Sequence, residues 1–459
     1  MASRPTDCLV APAIRLNKGE GLAEALRCLR EFDPHIFLVF GGDAEDVKWL
    51  HETLEDQAKH PILFCADLER GAGQQFEGLT PLPDAWALGL LGPEAAYDAG
   101  HRTAVEAASA GVRWILGPVL DLHRIGPDAV NSPIIGHRAF GGDIERVIET
   151  AGAWLRGLTD GGGIACGKHF PGHGACPQDS HVEHAVSFEE PERHLEPFKA
   201  LLDRLPTMMV GHIEFPMFDP EGLPASRSKK LMGILRDDWK YDGLVVADAL
   251  RMAGYGDGPH DQLAIESLYV GVDVLLDPED PVTLAVSLRD ALERGDLDPA
   301  VVERAASRVR RLLDTTAETP VANPRPLMLG AGAKRLLRPL PGGSPGRQIP
   351  RPGVALALAG SPDARRFLEE HWGVEVLNPG DSPPSPLPDA VLILWGAAMG
   401  RGLPPIPSPW LEALHHSHPI VYIAGSPDAT ELAPASLRGL YLPGLSPALL
   451  SLLFATGEE

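Results

Sequence analysis

Apolar residues in this chain fall into short clusters separated by longer stretches with helical periodicity. The clusters at 8–13, 36–40, 62–66, 112–116, 164–169, 208–212, 244–247 and 272–276 are rich in Val, Ile, Leu and Phe. They are too short for buried helices and predict strands. Between them, 44–58, 94–109, 143–158, 192–205 and 228–238 carry the spacing of amphipathic helices. Repeated strand–helix units predict an α/β protein with a parallel sheet and helices outside. Eight such units over about 280 residues fit a (β/α)8, TIM-like barrel, closed by helices at 282–293 and 299–315.

Beyond that point the pattern changes. Residues 319–352 are rich in Pro, Gly and Arg and predict a linker. Apolar runs return at 354–359, 390–395 and 420–424, with helical segments between. The expected division is a catalytic barrel over 1–318, a Pro/Gly-rich linker over 319–352, and a small C-terminal open α/β domain over 353–459. A chain of 459 residues is in any case too long for one ordinary core. The small domain has no Gly-x-Gly-x-x-Gly and no Gly-Lys-Ser/Thr, and so no nucleotide signature.

Charge narrows the function classes. With 63 acidic and 40 basic side chains the net charge is −23, which argues against nucleic acid and against an anionic membrane surface. No apolar run reaches the roughly 18 residues of a membrane span. Five widely spaced cysteines without a C-x-x-C predict neither a disulfide framework nor a zinc ribbon. The first residues lack the charged and apolar regions of a leader, and a reducing cytoplasm is the expected location. A small-molecule or carbohydrate substrate remains; oligomeric state is not legible.

The densest chemistry lies at the end of the fifth predicted strand. There Lys168-His169-Phe170-Pro171-Gly172-His173-Gly174 is followed by Asp179-Ser180-His181, placing one Lys, three His and one Asp within fourteen residues. In a barrel the active face is built just beyond the strand C-termini. Asp67 follows the third strand, Lys168 and His169 end the fifth, His212 the sixth, and Asp248 follows the seventh. Asp248 reads either as a carboxylate able to attack an electrophilic carbon or as a helix cap. His181 carries an imidazole, a group whose unperturbed pKa of about 6.5 suits giving and taking a proton, with Asp179 placed to orient it; the alternative is an exposed turn. Lys168, His169, Arg138 and Asp67 offer donors and acceptors for hydroxyls, or ordinary ion pairs and caps. His169, His173, Asp179, His181 and His184 could instead gather a metal ion, which leaves a metal-dependent hydrolase as a rival.

The chain resembles the family 3 glycoside hydrolases, in the β-N-acetylglucosaminidase branch that trims cell-wall muropeptides. The resemblance rests on the Lys168 to His181 segment, Asn131-Ser-Pro-Ile-Ile-Gly-His-Arg138-Ala-Phe-Gly141, Gly117-Pro-Val-Leu-Asp121 and Asp242-Gly-Leu-Val-Val-Ala-Asp248-Ala-Leu-Arg-Met252. It implies a retaining hydrolase that releases terminal β-linked N-acetylglucosamine without a cofactor. Asp248 would be the nucleophile and the Asp179–His181 pair the general acid/base. Asp67, Arg138, Lys168 and His169 would bind the sugar. One departure is Gln75, which stands where the branch usually carries a substrate-contacting Arg and loses its charge and fork. Within the same family a β-glucosidase or a glycoside phosphorylase is the alternative, and a non-catalytic glycan-binding relic is a further one.

Overall fold

A computed structural model describes residues 4–16, 21–124, 129–189, 191–325 and parts of 338–443. The eight expected strands form in chain order, the first split in two, and two short strands that were not expected, Ala185–Val186 and Ile213–Glu214, lie among them. They are β1 (Val10–Ala11), β2 (Ala13–Arg15), β3 (Ile36–Phe40), β4 (Leu63–Ala66), β5 (Val112–Ile115), β6 (Ile164–Phe170), β7 (Ala185–Val186), β8 (Thr207–Val210), β9 (Ile213–Glu214), β10 (Leu244–Ala247) and β11 (Leu275–Leu276). Seven of them make a curled parallel sheet in the order β10-β8-β6-β5-β4-β3-β2.

The ragged elements are the first and last. Residues Asp7–Leu9 coil into a 3-10 turn, and Pro12, which has no N–H to give a ladder, separates β1 from β2. β1 pairs with β11 in parallel register, Val10 opposite Leu275 and Ala11 opposite Leu276. A single bridge joins Val246 to Val274, and Ala247 N–H donates to Val274 O at 2.9 Å. Both edges of the curled sheet thus meet segment 272–277.

Helices alternate with these strands. They are α1 (Gly21–Glu31), α2 (Ala44–Gln57), α3 (Ala85–Leu91), α4 (Pro93–Ser109), α5 (Ile144–Asp160), α6 (Glu192–Leu201), α7 (Lys229–Gly233), α8 (His260–Val270), α9 (Pro281–Arg294) and α10 (Pro299–Glu318). Local chemistry sets their starts. Asp43, Asp143, Ser228, Asp280 and Asp298 each accept from a backbone N–H of the first turn, the usual N-cap bond. The segment expected as one helix over 228–238 is α7 followed by a π turn, Ile234–Asp238. Side chains of the strands and inner helix faces, among them Phe37, Phe64, Trp114, Trp154 and Phe170, are fully buried, each contributing on the order of 2 kcal/mol.

In the C-terminal part the predicted runs form strands Val354–Ala359, Ala390–Trp395 and Ile420–Gly425 of a six-stranded sheet. Glu375–Leu377 and Gly439–Pro443 pair parallel to their neighbours, and Arg338–Pro339, inside the expected linker, pairs antiparallel with Tyr441 and Leu440.

Candidate active site

Six of the seven residues singled out from the sequence line one cavity of about 250 Å³ at the C-terminal ends of the strands: Asp67, Arg138, Lys168, His169, His181 and Asp248. The seventh, Asp179, lies buried behind His181. Lys168 and His169 come from β6 itself, and the others from the connections after β4, β5, β6 and β10. A neighbouring opening of about 330 Å³ shares Asp67, Arg138 and His181 with it and is lined by Gln74 and Gln75. Gln75 accepts from Gly41 N–H at 3.3 Å through Oε1.

One wall is a buried ion network. Lys168 Nζ lies 2.5 Å from Asp67 Oδ1 and 2.6 Å from Glu69 Oε1, with only 1% of its side chain exposed. Arg138 forks onto the same Glu69, Nη2 at 2.7 Å and Nε at 2.9 Å. Burial alone would push the lysine toward neutrality; the two carboxylates outweigh it and raise its pKa. Burial likewise opposes the Glu69 charge, and Arg138 with Lys168 holds that carboxyl well below its usual range. Two cations against two anions leave this wall neutral as a whole.

His169 is fixed from behind. Its Nδ1 is 2.6 Å from Asp121 Oδ2, and its Nε2 faces Arg138 Nη2 at 3.4 Å. An arginine N–H can only donate, so Nε2 accepts and Nδ1 carries the proton to Asp121. Asp121 also takes His173 N–H at 2.5 Å, and its carboxyl stays below the ordinary range because His169 and His173 outweigh burial.

Asp248 follows β10 at the sheet's edge and is half-buried. Its backbone N–H donates to Val210 O at 2.9 Å, while Oδ1 accepts from Ala249 N–H at 2.8 Å. Burial raises its carboxyl; His169, His212, the Ala249 N–H and Lys168 together outweigh this and hold it below the usual value. His212 Nδ1 pairs with Ser226 Oγ at 2.8 Å and Nε2 with Ala249 O at 3.2 Å, so it braces the turn that carries Asp248.

The loop that follows β6 lines the same cavity. His181 presents its ring to the cavity with 36% of the side chain exposed, and its Nδ1 lies 2.7 Å from Asp179 Oδ1. Ser180 Oγ contacts His173 Nε2 at 2.8 Å, and His173 Nδ1 reaches Ser132 Oγ at 3.2 Å. His173 is fully buried; burial first and then His169 push its pKa down to about 4. Gly174 packs where a Cβ would sit 1.9 Å from Leu122 O, so only glycine lets this loop lie against the neighbouring one. Backbone bonds from Ala253 N–H to His181 O (3.3 Å) and Gly254 N–H to Ser180 O (2.9 Å) dock the loop on the turn after Asp248.

The five residues weighed as metal ligands do not converge. His169 turns to Asp121, His173 to the two serines, His181 to Asp179, and His184 to Glu214. Among the described residues no group of three His, Cys, Asp or Glu side chains is arranged to hold an ion.

Residues 43–312 match the glycosyl hydrolase family 3 N-terminal domain. The chain belongs to glycosyl hydrolase family 3. As an enzyme it is of the β-N-acetylhexosaminidase type: family 3 relatives named β-hexosaminidase are 36% identical over 261 residues in Alkalilimnicola ehrlichii (53% of this chain, 73% of that one). In Idiomarina loihiensis the identity is 34% over 291 residues, 60% of this chain and 84% of that one. The fold is similar to a family 3 β-N-acetylglucosaminidase from Paenibacillus (TM-score 0.79, 22% identity, all of this chain and 97% of that one). It is similar also to a β-glucoside phosphorylase (TM-score 0.81, 21% identity, all of this chain and 93% of that one).

Sequence reading missed Glu69, Asp121, Arg15 and Asp277 as members of this family 3 site. Asp121 ended one of the motif segments and Glu69 lay two places after Asp67, but a carboxylate's partners are set by strands far apart in the chain. Arg15 and Asp277 lie at the two ends whose strand limits were read least well.

Proposed function

We propose that the chain is a retaining glycosidase that releases terminal β-linked N-acetylglucosamine, with Asp248 as nucleophile. Asp248 attacks the anomeric carbon as a carboxylate and forms a glycosyl-enzyme. His181 protonates the departing oxygen through Nε2 and then takes a proton from the water that releases the sugar. Asp179 fixes the ring's tautomer by accepting from Nδ1 and steadies the imidazolium. Asp67, Arg138, Lys168 and His169 hold the pyranose hydroxyls. The curled sheet and the β1–β11 pair are read together as one closed eightfold barrel, followed by a linker and a small second domain.

The observation that carries this reading is the meeting of Asp248 and His181 on one cavity, with Nδ1 of His181 occupied by Asp179. That leaves Nε2 as the nitrogen able to exchange a proton with a ligand. Kinship with β-hexosaminidases supports an N-acetylhexosaminide as the substrate; the motif resemblance is what suggests cell-wall muropeptide fragments, met in the cytoplasm, as its source. A panel of nitrophenyl β-glycosides, assayed with and without inorganic phosphate, tests it. Turnover of the N-acetylglucosaminide, unchanged by phosphate, is expected. Preference for the glucoside, or sugar phosphate as product, overturns it.

A further inference from the structure

The cavity that holds the balanced Lys168 network also carries charge to which the proposed chemistry assigns no role. Asp277, buried at the end of β11, accepts from Arg15 Nη2 at 2.5 Å and Nη1 at 3.3 Å. Arg251 Nε lies 2.9 Å from the same carboxylate. All three side chains line the cavity that holds Asp248 and His181. Among the described residues, the ion pairs of both guanidiniums go to this one carboxylate. Two cations on one anion leave one positive charge in surplus. The fold holds Asp277 at a φ of 46°, a left-handed conformation that few side chains adopt, and in doing so sets its carboxylate between the arginines.

Among the described residues neither guanidinium pairs with Asp248, whose N–H donates to Val210 O and whose Oδ1 accepts from Ala249 N–H. Arg15 is tied down by two bonds to Asp277 and rests over the Phe40 ring at 5.0 Å. Arg251 keeps 43% of its side chain exposed and meets Asp277 through Nε, so its terminal nitrogens are available at the cavity. It follows Asp248 by three residues and precedes by two Ala253, whose N–H holds the His181 carbonyl. Arg251 therefore stands on the turn that contacts the acid/base loop, where a leaving group departs. A partly exposed guanidinium can donate to a hydroxyl, but a carboxylate matches both its charge and its fork. In a chain of net charge −23 an anion also needs a local cation to approach.

Building on the glycosidase reading, we propose that Arg251, set by Asp277 and Arg15, binds a carboxylate on the aglycone and selects anionic over neutral leaving groups.

Equilibrium binding tests this without turnover. The probes are the phenyl and para-carboxyphenyl thioglycosides of N-acetylglucosamine, whose sulfur linkage resists hydrolysis, titrated calorimetrically into the full chain. The carboxylated probe should bind about fivefold tighter at low salt, as one partly exposed ion pair allows. The advantage should vanish near 1 M salt, where screening acts within about 3 Å. Arg251→Gln should erase the preference and leave the phenyl Kd unchanged, and Arg251→Lys should keep part of it. The unchanged phenyl Kd also shows that the variant is folded. Equal affinities in the unaltered chain, or a preference surviving in Arg251→Gln, overturn the proposal alone. Competition by inorganic phosphate without any carboxylate preference overturns it in favour of free phosphate. Failure of the phenyl probe to bind overturns both this proposal and the N-acetylglucosamine reading beneath it.

Discussion

Asp179 clamps His181 at two points with one oxygen: Oδ1 accepts from the backbone N–H at 2.9 Å and from Nδ1 at 2.7 Å. The other oxygen, Oδ2, is buried without a hydrogen-bond partner among the described residues. The two contacts at Oδ1 fix the imidazole's orientation and leave its Nε2 turned away from Asp179.

His181→Ala should therefore slow N-acetylglucosaminides with poor leaving groups by about 10²–10⁴-fold and those with good leaving groups much less. Asp179→Asn should show the same trend more weakly. Added to His181→Ala it should cost little more, because the two act as one unit. A series of aryl glycosides of graded leaving-group acidity checks this; equal losses along the series would remove His181 from the acid role.

Asp248→Asn should lower kcat by at least about 10³-fold, since the amide cannot form the glycosyl-enzyme. The circular dichroism spectrum and melting temperature should stay near those of the unaltered chain. Retained turnover with an unchanged product anomer would exclude Asp248 as nucleophile.

Glu69→Ala should destabilise the fold by about 3–5 kcal/mol, the cost of stranding a buried charge. Lys168 loses one of its two carboxylates and Arg138 loses its fork. Urea unfolding gives the stability change, and KM on the neutral substrate should rise, because both cations also line the cavity.

Acidification should weaken the fold through His173. Its pKa is near 6.5 when unfolded and about 4 in the folded chain, so the unfolded state gains a proton first as the pH falls. The associated stability is full above pH 6.5 and declines as pH drops toward about 4. A difference of roughly 2.5 units corresponds to roughly 3 kcal/mol at most. His173→Gln keeps hydrogen-bonding capacity without this titration. Its melting temperature should fall less steeply across that window, and parallel curves for the two proteins would refute the assignment.

Much of this was legible in the sequence because strand ends are local signals. β3 and β10 have the limits their apolar runs predicted, and Lys168, His169 and Asp248 sit where those limits placed them. The first and last strands were placed, but their limits were not legible. Val10–Ala11 and Leu275–Leu276 are defined by pairing with each other across some 265 residues, and no local pattern reports that. Arg15, Arg251 and Asp277 depend on this junction and were not grouped beforehand. Glu69 was hidden differently: an acid two places after Asp67 gains meaning only when Arg138 reaches it from a turn in another loop.

The attachment of the acid/base loop is lopsided. Ser180 and His181 hold to the neighbouring turn through two backbone bonds and to His173 through one hydroxyl, while Asp248 is anchored independently by Val210 and Ala249. Gly254 permits this close seating, since a Cβ there would meet Ser180 O at 3.1 Å. Loss of those two backbone bonds would accordingly loosen His181 while leaving the anchors of Asp248 untouched.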